Sequence, residues 1–327
     1  MKAVITGIGG QDGSYLTELL LEKGYEVVGM AHRATQTMPW LQHLAGDERL
    51  RFVTGSLLDG DSIRNIVRRE LPDEIYNLGG MSFVPPSFAA PALAMQLNVG
   101  GLAHILKAVQ ELQPHCHVYQ AGTAEMFGGL RPDDLTLRVC DENSAMWPLS
   151  PYAVSKLAAH HLCRVYREHG VFVVGGIAGN HESPRRGREM VTRKVCRAVR
   201  QWRKTPGVPT LFLGNIMLVG RDWSHAKDIV RGMHLSLQHS EPRDYVFGSG
   251  KWTLLYDFIE AAFRAAGFAD MAQCWKWVSA GDARFTRMVE PPPCQMAPTT
   301  AANLLGWKCD YSFDELVREM VTTEERQ

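Results

Sequence analysis

The sequence predicts an α/β chain: a doubly wound parallel sheet followed by a smaller C-terminal α/β lobe. Three observations carry that expectation. Short apolar runs alternate with segments of helical period through the first half of the chain. The first of those runs leads directly into a glycine-rich turn and then a helix. After about residue 178 the alternation weakens, and proline and arginine cluster at Pro184-Arg185-Arg186 and Pro291-Pro292-Pro293.

Ala3–Thr6 is the first strand, an apolar run too short for a helix. Tyr15–Lys23 sets its leucines on one face and reads as a helix. Strands follow at Glu26–Met30 and Arg51–Val53, a helix near Asp61–Glu70, and a strand at Glu74–Leu78. A long helix is expected near Ala92–Leu112, a strand at His117–Ala121, a helix from about Tyr152 to His169, and a strand at Val171–Ile177. Residues 1–178 therefore read as a cofactor-binding domain. Residues 179–327 read mainly as a substrate lobe, with segments near 210–235 returning to the sheet. No internal repeat or low-complexity linker interrupts this order.

The chain has 327 residues, 45% hydrophobic and 21% charged, enough to bury a sizeable core. Lys+Arg and Asp+Glu are 35 each, so no global field draws it to nucleic acid or to an anionic membrane, and neither is expected as a partner. No apolar run stands out as a membrane span, and the chain opens on a strand pattern without the layout of a signal peptide, so the cytoplasm is the expected compartment. The seven cysteines, at 116, 140, 163, 196, 274, 294 and 309, include no C-x-x-C pair and are expected to be reduced and mostly buried. His115-Cys116-His117 puts two histidines on one strand face with no further ligand near, so no metal is expected.

Gly7, Gly10 and Gly13 give the spacing G-x-x-G-x-x-G between the first strand and first helix. Glycine is needed there for a tight turn, for close approach of a pyrophosphate to the backbone, and for close helix–strand packing; the sheet is then Rossmann-like. The free N–H groups and positive dipole end of the helix favour the phosphates. At the end of the second strand the sequence reads Gly29-Met30-Ala31-His32-Arg33. It has no carboxylate for a ribose hydroxyl and does have Arg33 for a 2′-phosphate, so NADP is the expected cofactor.

Tyr152 and Lys156 are four apart and share a helix face. A nearby ammonium favours the phenolate, which suits Tyr152 to act as a general base near neutral pH. Thr123 and Glu125 lie just past the strand His117–Ala121, at the end of a parallel strand where such folds collect their chemistry.

These residues, with the segments GIGGQDGSYL from Gly7, PDEIYNL from Pro72, TAEMFG from Thr123, SPYAVSK from Ser150, NHESPRRG from Asn180, VTRK from Val191 and RDWSHAKD from Arg221, resemble the GDP-mannose 4,6-dehydratases of the extended short-chain dehydrogenase/reductase superfamily. The match runs in order through most of the chain. The resemblance implies a redox group of Thr123, Tyr152 and Lys156, with Glu125 as carbon-acid base. It implies cofactor contacts at Gln11, Asp12, Leu78, His181 and Arg186 beside the glycines, and substrate contacts at Ser82 and Gly214. Asn180 and Arg221 would meet a GDP diphosphate, Arg287 and Glu290 would form a later arginine and ribose-binding glutamate, and Val191 and Lys194 would surround the guanine. The implied reaction is redox-neutral. Tyr152 takes the O4 proton as C4 gives hydride to NADP, Glu125 removes the C5 proton, water leaves from C6, and hydride returns to C6. A homodimer or homotetramer is implied, with the segment from His32 onward and the Arg185–Arg188 loop near an interface.

The sequence departs from that family at Ala124, where a serine is usual, at Gly79-Gly80-Met81-Ser82-Phe83, and at Ala178-Gly179, where Leu-Phe is usual. Loss of an aromatic from a pocket wall leaves space that a larger sugar fills. A GDP-heptose substrate, a C4 oxidoreductase or epimerase outcome, and an idle NADP-binding regulator therefore stand as alternatives, the last weighed against by the retention of Thr123, Glu125, Tyr152 and Lys156.

Overall fold

The structure is a computed structural model describing residues 1–32, 38–129, 136–217, 219–285 and 290–323. Seven parallel strands form the main sheet: β1 (Lys2–Thr6), β2 (Glu26–Ala31), β3 (Leu50–Thr54), β4 (Glu74–Asn77), β5 (His117–Ala121), β7 (Val173–Ala178) and β11 (Asp244–Phe247), in the order β11-β7-β5-β4-β1-β2-β3. β6 (Arg138–Cys140) lies outside it and pairs with β14 (Cys294–Met296). Helices cover both faces of the sheet, so its central strands are buried on both sides. Within β1, Ala3 and Ile5 face one core and Val4 the other. Helices α1 (Gln11–Glu22) and α8 (Ala226–Leu237) cover the first face. Helices α2 (Gly60–Glu70), α5 (Gly101–Leu112) and α6 (Pro151–Glu168) cover the second.

Helix α1 begins at Gln11, earlier than the leucine periodicity suggests, because Gly10 at the end of the loop is its N-cap. The fully buried Glu74 of β4 accepts hydrogen bonds from Tyr25, Tyr76 and Gln238, which makes its burial tolerable. The chain returns to the sheet as a strand at Asp244–Phe247, later than the 210–235 stretch expected; within that stretch α8 packs on the sheet as a helix. The region near Leu211 instead pairs as β9 (Leu211–Phe212) with β13 (Val278–Ser279).

The helix expected near Ala92–Leu112 is α4 (Pro91–Met95), a π turn at Gln96–Gly100, and then α5. The stretch Pro91–Leu112 is also long and apolar enough to cross a membrane, contrary to the sequence expectation, but by length and composition alone. Its apolar residues Leu102, Ile105, Leu106 and Val109 are buried in the core under the sheet, against residues of α2 and α6, which accounts for its composition. A short helix, α3 (Val84–Ala89), precedes it.

The second lobe has its own core, built on α7 (Val191–Trp202), α9 (Leu255–Ala265) and α12 (Phe313–Thr322) around Trp202, Trp223, Phe258 and Phe263. The strands β8 (Asn180–Glu182), β10 (Gly220–His225) and β12 (Trp252–Leu254) form the small sheet between the two cores, β10 parallel to β8 and antiparallel to β12.

Candidate active site

The glycine loop is held by close backbone contacts. Gly7 has φ +70°, and a Cβ there would lie 2.8 Å from the Gly79 nitrogen. A Cβ on Gly13 would lie 2.5 Å from the Gly7 carbonyl oxygen, so helix α1 meets β1 only because that side chain is absent. Gly10 donates to the Gly7 carbonyl at 3.0 Å. No side chain caps the N-terminus of α1, which leaves its first-turn N–H groups directed outward beside the loop.

β8 crosses this helix end. Gln11 Nε2 donates to the His181 carbonyl at 3.1 Å, and Ser183 donates to Gln11 Oε1 at 2.7 Å. His181 Nε2 is 2.9 Å from Asp12 Oδ2, and its Nδ1 is 2.8 Å from the Gly179 carbonyl oxygen. Both ring nitrogens thus face acceptors, which suits the imidazolium. Burial alone would lower the His181 pKa, but the Asp12 carboxylate raises it, and His181 in turn holds Asp12 below the usual carboxylate range despite burial. Arg186 lies in the same group, 3.3 Å from Glu182. Gln11, Asp12, His181 and Arg186 are therefore brought together. Leu78 packs half-buried at the edge of the core beneath the loop. Arg33 lies outside the described residues. Arg185 is engaged within the chain, its guanidinium 3.7 Å from the centre of the Tyr15 ring and 2.6 Å from Glu18.

Beyond β5 the chain makes one 3₁₀ turn, Ala124–Met126, capped by Thr123, whose hydroxyl accepts from the Glu125 N–H at 3.3 Å. Facing it, α6 starts with Ser150 as N-cap and Pro151 in its first turn. That start puts Tyr152 and Lys156 on its inner side, both buried. The Thr123 side chain hydrogen-bonds Tyr152, and Lys156 Nζ donates to the Ala121 carbonyl at 2.9 Å, 6.0 Å from the centre of the Tyr152 ring. Burial pushes the Tyr152 phenol up to about 12, with the Thr123 bond opposing and the Glu125 charge reinforcing that shift. Burial also pulls the Lys156 ammonium down to about 8. The ammonium bonds the Ala121 carbonyl rather than the phenol, and for Tyr152 burial is the largest influence.

Glu125 lines a cleft shared with Ala124, Asn180, Arg221, Cys294 and Met296. Asn180 opens β8, and Arg221 lies on the neighbouring β10. Arg221 forms an ion pair with Glu290 and donates to the Gly220 carbonyl at 2.6 Å. Arg287 lies outside the described residues. Val191 and Lys194 are in the first turn of α7, with Lys194 Nζ 5.0 Å from the centre of the Phe285 ring. Gly214 follows β9, and its carbonyl accepts from Gly281 at 3.0 Å. These three lie on the second lobe and do not line the cleft around Glu125. Ser82 is exposed on the loop after β4.

The space expected at Gly179 is filled. A Cβ there would lie 3.0 Å from Met296 Cγ, and the Met296 side chain is buried where a larger residue would go. Ala178 is buried in the core of the first sheet face.

Three supporting residues carry no clear sequence signal. Asn98, in the π turn, accepts from Met81 N–H at 3.0 Å and donates to the Met81 carbonyl and to Ser155 at 3.2 and 2.9 Å. Ser87 accepts from Tyr152 N–H at 3.1 Å. Asp222 accepts from Ser249, Gly250 and Met296 N–H groups, fixing the strand behind the cleft. A polar residue within an apolar helix was the one hint at Asn98; Ser87 and Asp222 act through partners distant in sequence.

Comparison with known proteins adds to this geometry. The family model for GDP-mannose 4,6 dehydratase matches residues 4–320. GDP-mannose 4,6 dehydratase 1 of Arabidopsis thaliana is 39% identical over 332 residues, covering 98% of this chain and 88% of that protein. The Homo sapiens GDP-mannose 4,6 dehydratase is 37% identical over 343 residues, covering 98% and 90%. Among solved structures, the UDP-glucose 4-epimerase of Thermotoga maritima with UDP-glucose superposes with TM-score 0.85 at 18% identity, covering 98% of this chain and 97% of that one. The dTDP-glucose 4,6-dehydratase of Bacillus anthracis in complex with NAD superposes with TM-score 0.82 at 19% identity, covering 98% and 95%. At those identities the structures speak to the fold.

Proposed function

The chain belongs to the GDP-mannose 4,6-dehydratase family of sugar-nucleotide lyases, and from that premise we propose that it converts GDP-mannose to the 4-keto-6-deoxy sugar with bound NADP. One observation supports this above the others: the turn after β5 presents Glu125 to the cleft that also holds Asn180 and Arg221, while Thr123 of the same turn bonds Tyr152.

The residues present fit the cofactor. Gly7 and Gly13 let the loop pack backbone against backbone where a Cβ would clash, and the start of α1 beside it has no side-chain cap. NADP in that cradle supplies the hydride acceptor at C4 and the donor at C6. β2 ends at Ala31, with His32 following and no carboxylate, which favours NADP over NAD.

Arg221 binds the diphosphate once released from Glu290, and Asn180 adds a donor from β8. Tyr152 accepts the O4 proton, aided by Thr123 and by the Lys156 charge. Burial raises its pKa, so this transfer needs the ammonium drawn toward the phenol. Glu125 removes the C5 proton made acidic by the C4 ketone. It then gives that proton to the C6 hydroxyl, which leaves as water, because Ala124 has no hydroxyl to do so, and C5 takes its new proton from solvent as C6 is reduced. Met296 filling the space at Gly179 favours a hexose over the larger heptose. The same reading carries a homodimer or homotetramer.

The test is incubation with GDP-mannose and NADP in deuterium oxide. The expected product has lost one water and carries deuterium at C5. A product that keeps its C6 hydroxyl, or that has only protium at C5, overturns the reading in favour of an oxidoreductase or an epimerase.

A further inference from the structure

Cys140 and Cys294 are 154 residues apart in sequence, yet their sulfurs are 2.7 Å apart, the Cys294 thiol donating to Cys140. They lie on the paired parallel strands β6 and β14. Both are free thiols. Burial raises the thiols of the other five, Cys116, Cys163, Cys196, Cys274 and Cys309, which makes them poor nucleophiles. Within the pair the hydrogen bond acts oppositely on the two thiols: it holds Cys140 below its ordinary value, with Arg138 adding to it, and it raises Cys294 well above its own. Cys140 is buried, whereas Cys294 is half-buried and lines the cleft with Glu125, Asn180 and Arg221. An oxidant entering the cleft therefore meets this pair first.

We propose that Cys140 and Cys294 are an oxidisable dithiol whose disulfide ties the wall of the nucleotide-sugar cleft to β6. The oxidant class is a peroxide. One thiolate attacks the O–O bond and becomes a sulfenic acid as the first water leaves. The second thiol displaces the sulfenic oxygen as the second water and closes the S–S bond. Two thiols lose two electrons and two protons, and the peroxide is reduced to two waters.

The site explains what closure does. β14 continues from Glu290 through Pro291, Pro292 and Pro293, and Glu290 is the residue that occupies Arg221. The ribbon is already held by Arg138 N–H to the Pro293 carbonyl at 3.0 Å and Ala297 N–H to the Cys140 carbonyl at 2.9 Å. A covalent link beside these bonds fixes the Glu290 segment where it keeps Arg221 engaged, so a diphosphate gains that guanidinium less readily. This consequence rests on the reading of the cleft as the GDP-sugar site.

The full chain, reduced and carrying its cofactor, is treated with one equivalent of hydrogen peroxide, alkylated and mapped by mass spectrometry. GDP binding is measured in parallel by calorimetry, before and after dithiothreitol. The expected result is a cross-linked Cys140–Cys294 peptide with the other five cysteines alkylated. GDP affinity falls severalfold on oxidation and returns on reduction, and Cys140→Ser gives neither the cross-link nor the change. Absence of that cross-link, or earlier oxidation of another cysteine, overturns the dithiol. A cross-link with unchanged GDP affinity overturns its action on the cleft. Failure of GDP to bind the reduced protein strikes instead at the functional reading, and peptide mapping still decides the dithiol.

Discussion

Lys156 carries two opposed requirements. Its charge serves Tyr152, but burial brings its pKa from 10.5 to about 8. A folded-state pKa below the unfolded one means that folding disfavours the bound proton, a penalty fully present below about pH 8 and relieved as pH rises toward 10.5. Lys156→Met removes that penalty together with one of the two donors to the Ala121 carbonyl, Gln120 Nε2 remaining. The net expectation at pH 7 is a stabilisation of about 1–2 kcal/mol with turnover abolished. Urea unfolding at pH 7 and pH 10 checks it, and a variant less stable than wild type at pH 7 contradicts it. The Asp12–His181 pair has the opposite sign. His181 is raised from 6.5, so its contribution is complete below that value and is lost as pH rises through the raised one. Asp12 is lowered from 3.8, so its contribution is complete above that value and is lost as pH falls through the lowered one. Between those limits the pair acts in full, and Asp12→Asn is expected to cost roughly 2 kcal/mol at pH 6 and less at pH 9. Equal losses at both pH values would deny the charged pair. Tyr152 and Lys156 were legible as a pair because helical spacing alone puts them on one face; the direction in which burial moves each was not.

At the scale of elements, the helix from Pro91 to Leu112 is the one whose irregularity matters. The π turn at Gln96–Gly100 rotates Asn98 off the apolar stripe toward the loop after β4 and toward α6. Asn98 there joins three elements: the Gly80–Ser82 loop, the helix itself and Ser155 one turn from Tyr152. Gly80 accommodates it, since at φ +142° a Cβ would lie 2.3 Å from Asn98 Oδ1. Asn98→Ala is expected to destabilise by about 2 kcal/mol and to lower kcat more than it raises KM, because the Tyr152 helix loses a tie while the GDP contacts keep theirs. Thermal melts with steady-state kinetics decide this. An unchanged kcat in a folded variant would make Asn98 a packing residue only. The apolar period of this segment gave the helix but not its π turn, because one inserted residue shifts the stripe by less than the scatter of any periodic pattern.

At the scale of the molecule, two cores meet at the small sheet β12-β10-β8, and the cleft lies on that seam. A ligand gripped from both sides stabilises the whole chain by mass action, about 2.7 kcal/mol at a hundredfold excess over Kd. GDP is expected to raise Tm by several degrees and UDP by much less; a larger shift with UDP would mean that the Asn180–Lys194 segment does not select the base. The sequence by itself determined the parallel sheet, the glycine loop, and the family, because these rest on local spacing: a strand run, a turn only glycine can make, a tyrosine and a lysine on one helix face. Tertiary structure alone decided that Met296 fills the place of the side chain missing at Gly179, that the last strand of the sheet is β11 rather than a segment of 210–235, and that Cys140 meets Cys294. Each of these joins residues tens to more than a hundred positions apart, and contacts of that kind follow from how the two cores pack, which no local pattern records.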